Sequence, residues 1–417
     1  LKNNIANISF DIANISKHLD DKNKDKSDLQ NLSRNPKNPD NPFCALADVP
    51  DIVWKQIKTD KAPWGRKGHE NPNHYADVDA PTKDGSKNLF AKCKIPTDLT
   101  TETLMDYYKN IDNEKTGIAN VERITEELKK EREERTGIKP IASDPVHHYG
   151  LIFFRVWQIY NYMVKALKEE KDVAKFLFAA GVSAHYWGDA CQPLHSSYMS
   201  DGNPKDAFKD KYTAKKDSPK TSKDPHKKGD VYSILTNPGK GVHVAFEDKM
   251  IDKYIDEKIL PGLRTILEDI NSSINKVTIE SMLSGQEAGF ALLKLMEKTQ
   301  EKLPPITIVE AYKKAKEEKI DVPTALYEQF GDKTVECLAL GSRYLTAFWE
   351  AAWKAGSGST NITSLEKVNE KALIDLYSVT TELPSMYLND VDTVLDDNKS
   401  VTTKKSSTAK SGKKTKT

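Results

Sequence analysis

The stretch Phe176-Leu177-Phe178-Ala179-Ala180-Gly181-Val182, continuing through Ala184-His185-Tyr186-Trp187-Gly188-Asp189-Ala190-Cys191-Gln192-Pro193-Leu194-His195, decides the fold. It is apolar on nearly all sides, so a helix over Asp172–Ala190 belongs at the centre of a core rather than on a surface. Two of its residues, His185 and Asp189, are four apart and share one helical face, where they can point at a single ion. A charged Asp189 on such a helix is costly to bury unless a cation or donors compensate it. Pro193 ends or bends the helix and turns His195 back towards the same end.

Outward from this helix, apolar residues recur at helical spacing. Helices are expected over Thr116–Thr136, Pro145–Lys168, Phe246–Ile270, Thr278–Lys302, Pro323–Ala355 and Leu365–Leu383. No alternating runs bounded by turn residues argue for strands, so the fold class is all-α. One helical domain is expected over 1–395. Within it Gly202–Gly229, with nine Lys, reads as a surface insertion, either a solvated loop or a rim facing a substrate. Residues 396–417 are Lys/Ser/Thr-rich and read as a disordered basic tail.

The 417 residues carry 63 Lys+Arg against 62 Asp+Glu, a formal charge of +1, which argues against a chain that binds nucleic acid through overall charge. No apolar run is long enough for a membrane span, and the start Leu1-Lys2-Asn3-Asn4 has no signal-peptide pattern. The four cysteines, Cys44, Cys93, Cys191 and Cys337, lack CxxC spacing, which disfavours a thiolate metal site; two disulfides or buried free thiols both remain open.

A second pair at helical spacing, His243 and Glu247, and a further histidine, His74 in Asn73-His74-Tyr75-Ala76-Asp77, extend the set. Nitrogen and oxygen ligands without Cys suit zinc in a catalytic setting. His226 lies between Pro225 and Gly229 among lysines, and His147 and His148 follow a helix start; neither group reads as ligands. His18 and His69 have no partner.

With those residues in view, the chain resembles the zinc-dependent superfamily of single-strand nucleases and bacterial phospholipase C. The resemblance rests on His185 to His195, on the His74 element, and on Gly241-Val242-His243 through Glu247. Ser200-Asp201-Gly202 and Phe348-Trp349 through Trp353 are similar to its bacterial branch, and the likeness covers roughly residues 5–356. It implies a multi-helix fold of that type holding two to three zinc ions. His74 and His185 would hold the first with Asp189 bridging; His195, His243 and Glu247 would hold the second. An upstream aspartate completes the first site, either Asp48 or Asp51, with Asp60 a weaker third choice. The third zinc needs an N-terminal Trp and a nearby His, which a chain starting Leu1-Lys2 does not offer.

The resemblance further implies a phosphodiester hydrolase acting on single-stranded DNA, RNA or nucleotides, with phospholipid hydrolysis, or a zinc-binding relative impaired in catalysis, as alternatives. Among the catalytic residues, Asp48 or Asp51 would orient the attacking water and Asp189 would bridge the metals; Tyr75 and Asp77 would hold a base, and Arg155 would contact the phosphate or else form a structural salt bridge. Secretion or a periplasmic location is implied by the resemblance, and no stable membrane insertion is expected.

Overall fold

The computed structural model describes residues 46–52, 54–56, 70–85, 88–137, 150–214, 229–362 and 382–396. The chain is mostly helical. The principal helices are α1 (Thr101–Asn110), α2 (Ile118–Thr136), α3 (Ile152–Lys165) and α4 (Val173–Asp189). They are followed by α5 (Leu260–Glu268), α6 (Gly285–Lys302), α7 (Pro305–Glu317) and α8 (Val322–Ala355). Periodicity anticipates five of these and the α5 region, but not α1 or α7. α1 is a short helix started by Thr100, whose hydroxyl accepts from the Thr103 amide. α7 is set off by Pro305 in its first turn. The expected helix over Leu365–Leu383 and the basic tail from 397 onward lie outside the described residues.

α4 is capped by Asp172, whose carboxylate accepts from the Lys175 amide, and it is buried from Phe176 to Ser183. It is central because α3, α8 and the short helix Leu46–Asp48 all pack on it, while α6 lies against α3 and α8. Trp187 meets Tyr344 and Phe348 of α8 at ring distances of 5.9 and 5.5 Å. The Trp349 indole N–H donates to the Ala180 carbonyl at 3.0 Å, tying α8 to α4 at a second level. One contiguous cluster of buried residues runs from Leu46 to Leu395.

Gly181 permits the approach of Leu46–Asp48, since a Cβ there would stand 2.4 Å from Leu46 Cδ1. That close packing carries the next turn, Val49–Ile52, to the His185 end of α4. Between Val242 and Glu268 the chain is helical almost throughout but widens into π turns at Ala245–Met250 and Ile255–Ile259.

Two antiparallel strands, β1 (Phe208–Thr213) and β2 (Val231–Thr236), correct the expectation of a strand-free chain. They pair with Tyr212 opposite Tyr232, whose rings are 5.5 Å apart. The signal was masked because β1 is exposed at every position but Tyr212 and β2 is partly buried at consecutive positions, so neither strand alternates. β1 lies within the Lys-rich insertion and β2 directly follows it; residues 215–228 lie outside the described residues. The ribbon leans on α2, where Lys209 pairs with Glu131 and, at 3.6 Å, with Glu127. This lysine is therefore engaged with the body of the protein.

Cys93, Cys191 and Cys337 are buried free thiols, so the expectation left open between disulfides and thiols resolves to thiols for these three. No helix among the described residues is long and apolar enough to cross a membrane.

Candidate metal centre

Four pieces of chain meet at the C-terminal end of α4: Val49–Ile52, the turn Asn71–His74, the turn Pro193–Ser196, and the start of the helical run at Val242. Two of them are stitched together by backbone hydrogen bonds. The Ala76 amide donates to the His195 carbonyl at 2.9 Å and the Val78 amide to the Ser196 carbonyl at 3.2 Å. The His195 ring donates from Nδ1 to the His74 carbonyl at 3.0 Å, because a carbonyl only accepts. That bond leaves His195 Nε2 as the ring nitrogen aimed at Glu247, 3.1 Å away.

Two groups of three side chains could each hold a metal ion: Asp51, His74 and His185, and His195, His243 and Glu247. Within each, the ligand atoms lie within 4.8 Å of one another. In the first, His74 Nδ1 is 2.8 Å from His185 Nε2, and Asp51 Oδ1 is 3.5 and 3.6 Å from these two nitrogens. In the second, Glu247 Oε2 stands 2.7 Å from His243 Nε2 and 3.1 Å from His195 Nε2. Asp189 lies between the groups: Oδ2 is 3.2 Å from His74 Nδ1 and 3.3 Å from His185 Nε2, and Oδ1 is 3.8 Å from His195 Nε2.

The donor chemistry fits a cation in each group. Imidazole nitrogens and carboxylate oxygens converge with their lone pairs facing one another, an arrangement that protons satisfy poorly and a divalent ion satisfies well. Burial, and then the neighbouring His185, hold His74 well below the usual imidazole range, so it stays neutral as a ligand must. Burial works against charge on His195, yet Asp189 and Glu247 outweigh it and raise the ring to about 9. Burial also opposes charge on Glu247, but hydrogen bonds from His195 and His243 hold its carboxyl far below the ordinary value. Burial raises Asp189. Side-chain exposure climbs from 4% at His74 and 5% at Asp189 to 29% at His243, 34% at Glu247 and 46% at Asp51, so the centre opens to solvent on that side.

Of the residues singled out from sequence, His74, His185, Asp189, His195, His243, Glu247 and Asp51 are brought together here. Of the two upstream aspartates, Asp51 is in the first group and Asp48, which is exposed, is in neither. Asp60 falls outside the described residues, as do His18, His69, His147, His148 and His226. Tyr75 and Asp77 lie on an extended segment whose alternate residues Ala76, Val78 and Ala80 are fully buried, and they occupy its partly exposed side.

Arg155 requires a correction. It is fully buried, and its guanidinium is consumed by internal partners, so it is the structural member of the two roles considered and reaches no substrate. Nε donates to the Tyr186 hydroxyl at 3.0 Å, and Nη1 to Gln158 at 2.6 Å and to the Leu383 and Pro384 carbonyls at 3.1 and 2.9 Å. Nη2 faces Glu70 at 3.3 Å. Sequence reasoning missed Glu70, although it precedes His74 by four residues, the same spacing that marked the other His/carboxylate pairs.

No protein family model and no solved structure matches the chain. It is 32% identical over 416 residues to a protein of Bradyrhizobium tropiciagri named a probable serine protease, across 94% of this chain and 45% of that protein. The chain thus spans about half the length of that relative. This finding overturns the resemblance to single-strand nucleases and phospholipase C, and with it the expectation of nucleic-acid or phospholipid hydrolysis. Identity spread along nearly the whole chain outweighs likeness at a handful of motif positions, because His/carboxylate pairs at helical spacing arise in any fold that needs them. The base-binding roles of Tyr75 and Asp77 and the expected secretion rested on that resemblance alone.

Proposed function

We propose that this chain is a metal-dependent hydrolase domain, with zinc the metal best suited to its all-nitrogen and oxygen ligands. The observation that carries the reading is the pair of three-ligand groups joined by the buried carboxylate of Asp189. The relative's name supports hydrolysis as the general class.

The chemistry ions supply in such a centre is water activation near neutral pH and polarisation of the bond under attack. The protein's own part is to hold the ligands. His74 and His185 meet at right angles, with an interplanar angle of 87°, and burial holds His74 neutral. The His195 ring is held in orientation by its Nδ1 hydrogen bond to the His74 carbonyl. Asp51, the most exposed carboxylate of the set, is the one placed to orient an incoming water.

A second reading, hydrolysis by a serine nucleophile, follows from the relative's name. Against it, no serine hydroxyl among the described residues hydrogen-bonds to a histidine. Ser183 and Ser196 donate to the Ala180 and Pro193 carbonyls, and Ser197 donates to Asp79. The relative's further length is room for such a site.

Elemental analysis should find about two metal ions per chain. Hydrolysis of a denatured protein substrate should stop with a chelator, return with zinc, and resist a serine-directed sulfonyl fluoride. His185→Ala should lose metal and activity together. Inhibition by the sulfonyl fluoride alone, in a chain that binds no metal, would refute the reading.

A further inference from the structure

His74 presents a one-sided arrangement. Its Nδ1 faces the first ligand group, 2.8 Å from His185 and 3.2 Å from Asp189. Its Nε2 is buried and makes no hydrogen bond. If Nδ1 is the ligand atom, the ring proton must reside on Nε2, and a buried N–H without an acceptor is costly. The carboxylate that faces it is Glu70, with Oε1 3.5 Å from Nε2 and the side chain 1% exposed.

Glu70 is itself held from several directions. The Tyr186 hydroxyl donates to Oε1 at 2.5 Å, Arg155 lies 3.3 Å from Oε2, and the Ser385 hydroxyl also donates to Oε2. Arg155 in turn grips the carbonyls of Leu383 and Pro384. Next to it Asn73 gives its side-chain N–H to the Met386 carbonyl and accepts from the Met386 amide. The segment from residue 383 to 386 is thereby tied to the turn that carries His74.

We propose that Glu70 is a positioning residue for His74, its carboxylate holding the Nε2 proton so that Nδ1 is aimed at the Asp51/His74/His185 group, with Arg155 as its clamp. The assignment rests on the metal reading above. It also accounts for why a fully buried ion pair stands beside the centre, where apolar residues of similar size would pack at no greater cost.

The test is a cobalt(II) titration of the full chain, followed by visible absorbance, on three proteins. These are the wild type, Glu70→Gln, and the double variant Glu70→Leu with Arg155→Met, which removes the buried pair without leaving an unpaired charge. Wild type should show two binding steps. In the double variant one step should weaken about 10–100-fold and the other stay unchanged. Glu70→Gln, which keeps an acceptor but loses the charge, should weaken the same step by less, with its thermal midpoint reported alongside. Folded variants that keep wild-type affinity at both steps would overturn the role of Glu70 and leave the metal reading standing. Equal weakening of both steps would overturn it as well, since that is general loosening. A wild type that binds no cobalt would remove both.

Discussion

At the scale of single residues, the extended segment that follows His74 carries two carboxyls, Asp77 and Asp79, on its partly exposed side. Burial raises Asp77 to about 8, with Asp79 adding to the rise, and burial raises Asp79 to about 6 against hydrogen bonds from Ser197 and Tyr198. A carboxyl whose folded value exceeds its ordinary 3.8 favours the protonated folded state. Its contribution is fully present below about pH 4 and is lost as pH climbs towards 8. Asp77→Asn cannot ionise, so its stability relative to wild type should grow across that window, by on the order of 1 kcal/mol after discounting for partial exposure. Urea unfolding at pH 5 and pH 8 measures the difference. Parallel behaviour of the two proteins would show that Asp77 does not carry the shift. The candidate ligand pairs needed no such inference: their spacing is visible in the chain, because a helix places residues four apart on one face whatever surrounds it.

At the scale of elements, α4 sets the centre because its faces do different work. One face packs aromatic residues against α8; its last turn presents His185 and Asp189; and Gly181 admits Leu46 to within what a Cβ would occupy. Gly181→Ala gains about 0.5–1 kcal/mol of helix propensity but overpacks by about 1–3 kcal/mol, so a net loss is expected. The displaced Leu46 should carry Asp51 away from His185. Chemical denaturation should report the loss, and cobalt binding should weaken at one step. A more stable variant with unchanged metal binding would mean that Leu46 yields freely. The π turn at Ala245–Met250 is a comparable device, since it lies where Glu247 must reach both His243 and His195.

At the scale of the whole molecule, residues far apart in sequence close the site. Leu383, Met386, Leu388 and Val391 are buried in the same core as α3 and α4, and the carbonyls at 383 and 384 satisfy Arg155. A chain ending at residue 381 loses these side chains, each worth at most about 1.5–3 kcal/mol, and leaves a buried cation short of acceptors. Relative to a chain ending at 396, it should melt well below and bind metal more weakly. Equal melting temperatures would show that this segment is not part of the cooperative unit.

The helical class, the central place of α4 and most of the residues that converge at its end followed from local pattern, because periodicity and i,i+4 spacing need only a few neighbouring residues. The short α1 and α7, the β1–β2 ribbon and the helical limits were less legible, since caps and packing rather than apolar period define them. Three placements came from tertiary structure alone: Asp51 rather than Asp48 in a three-ligand group, Arg155 turned onto internal partners, and Glu70 behind His74. Each depends on which distant segments converge on α4, a matter of close packing that no single stretch of sequence records.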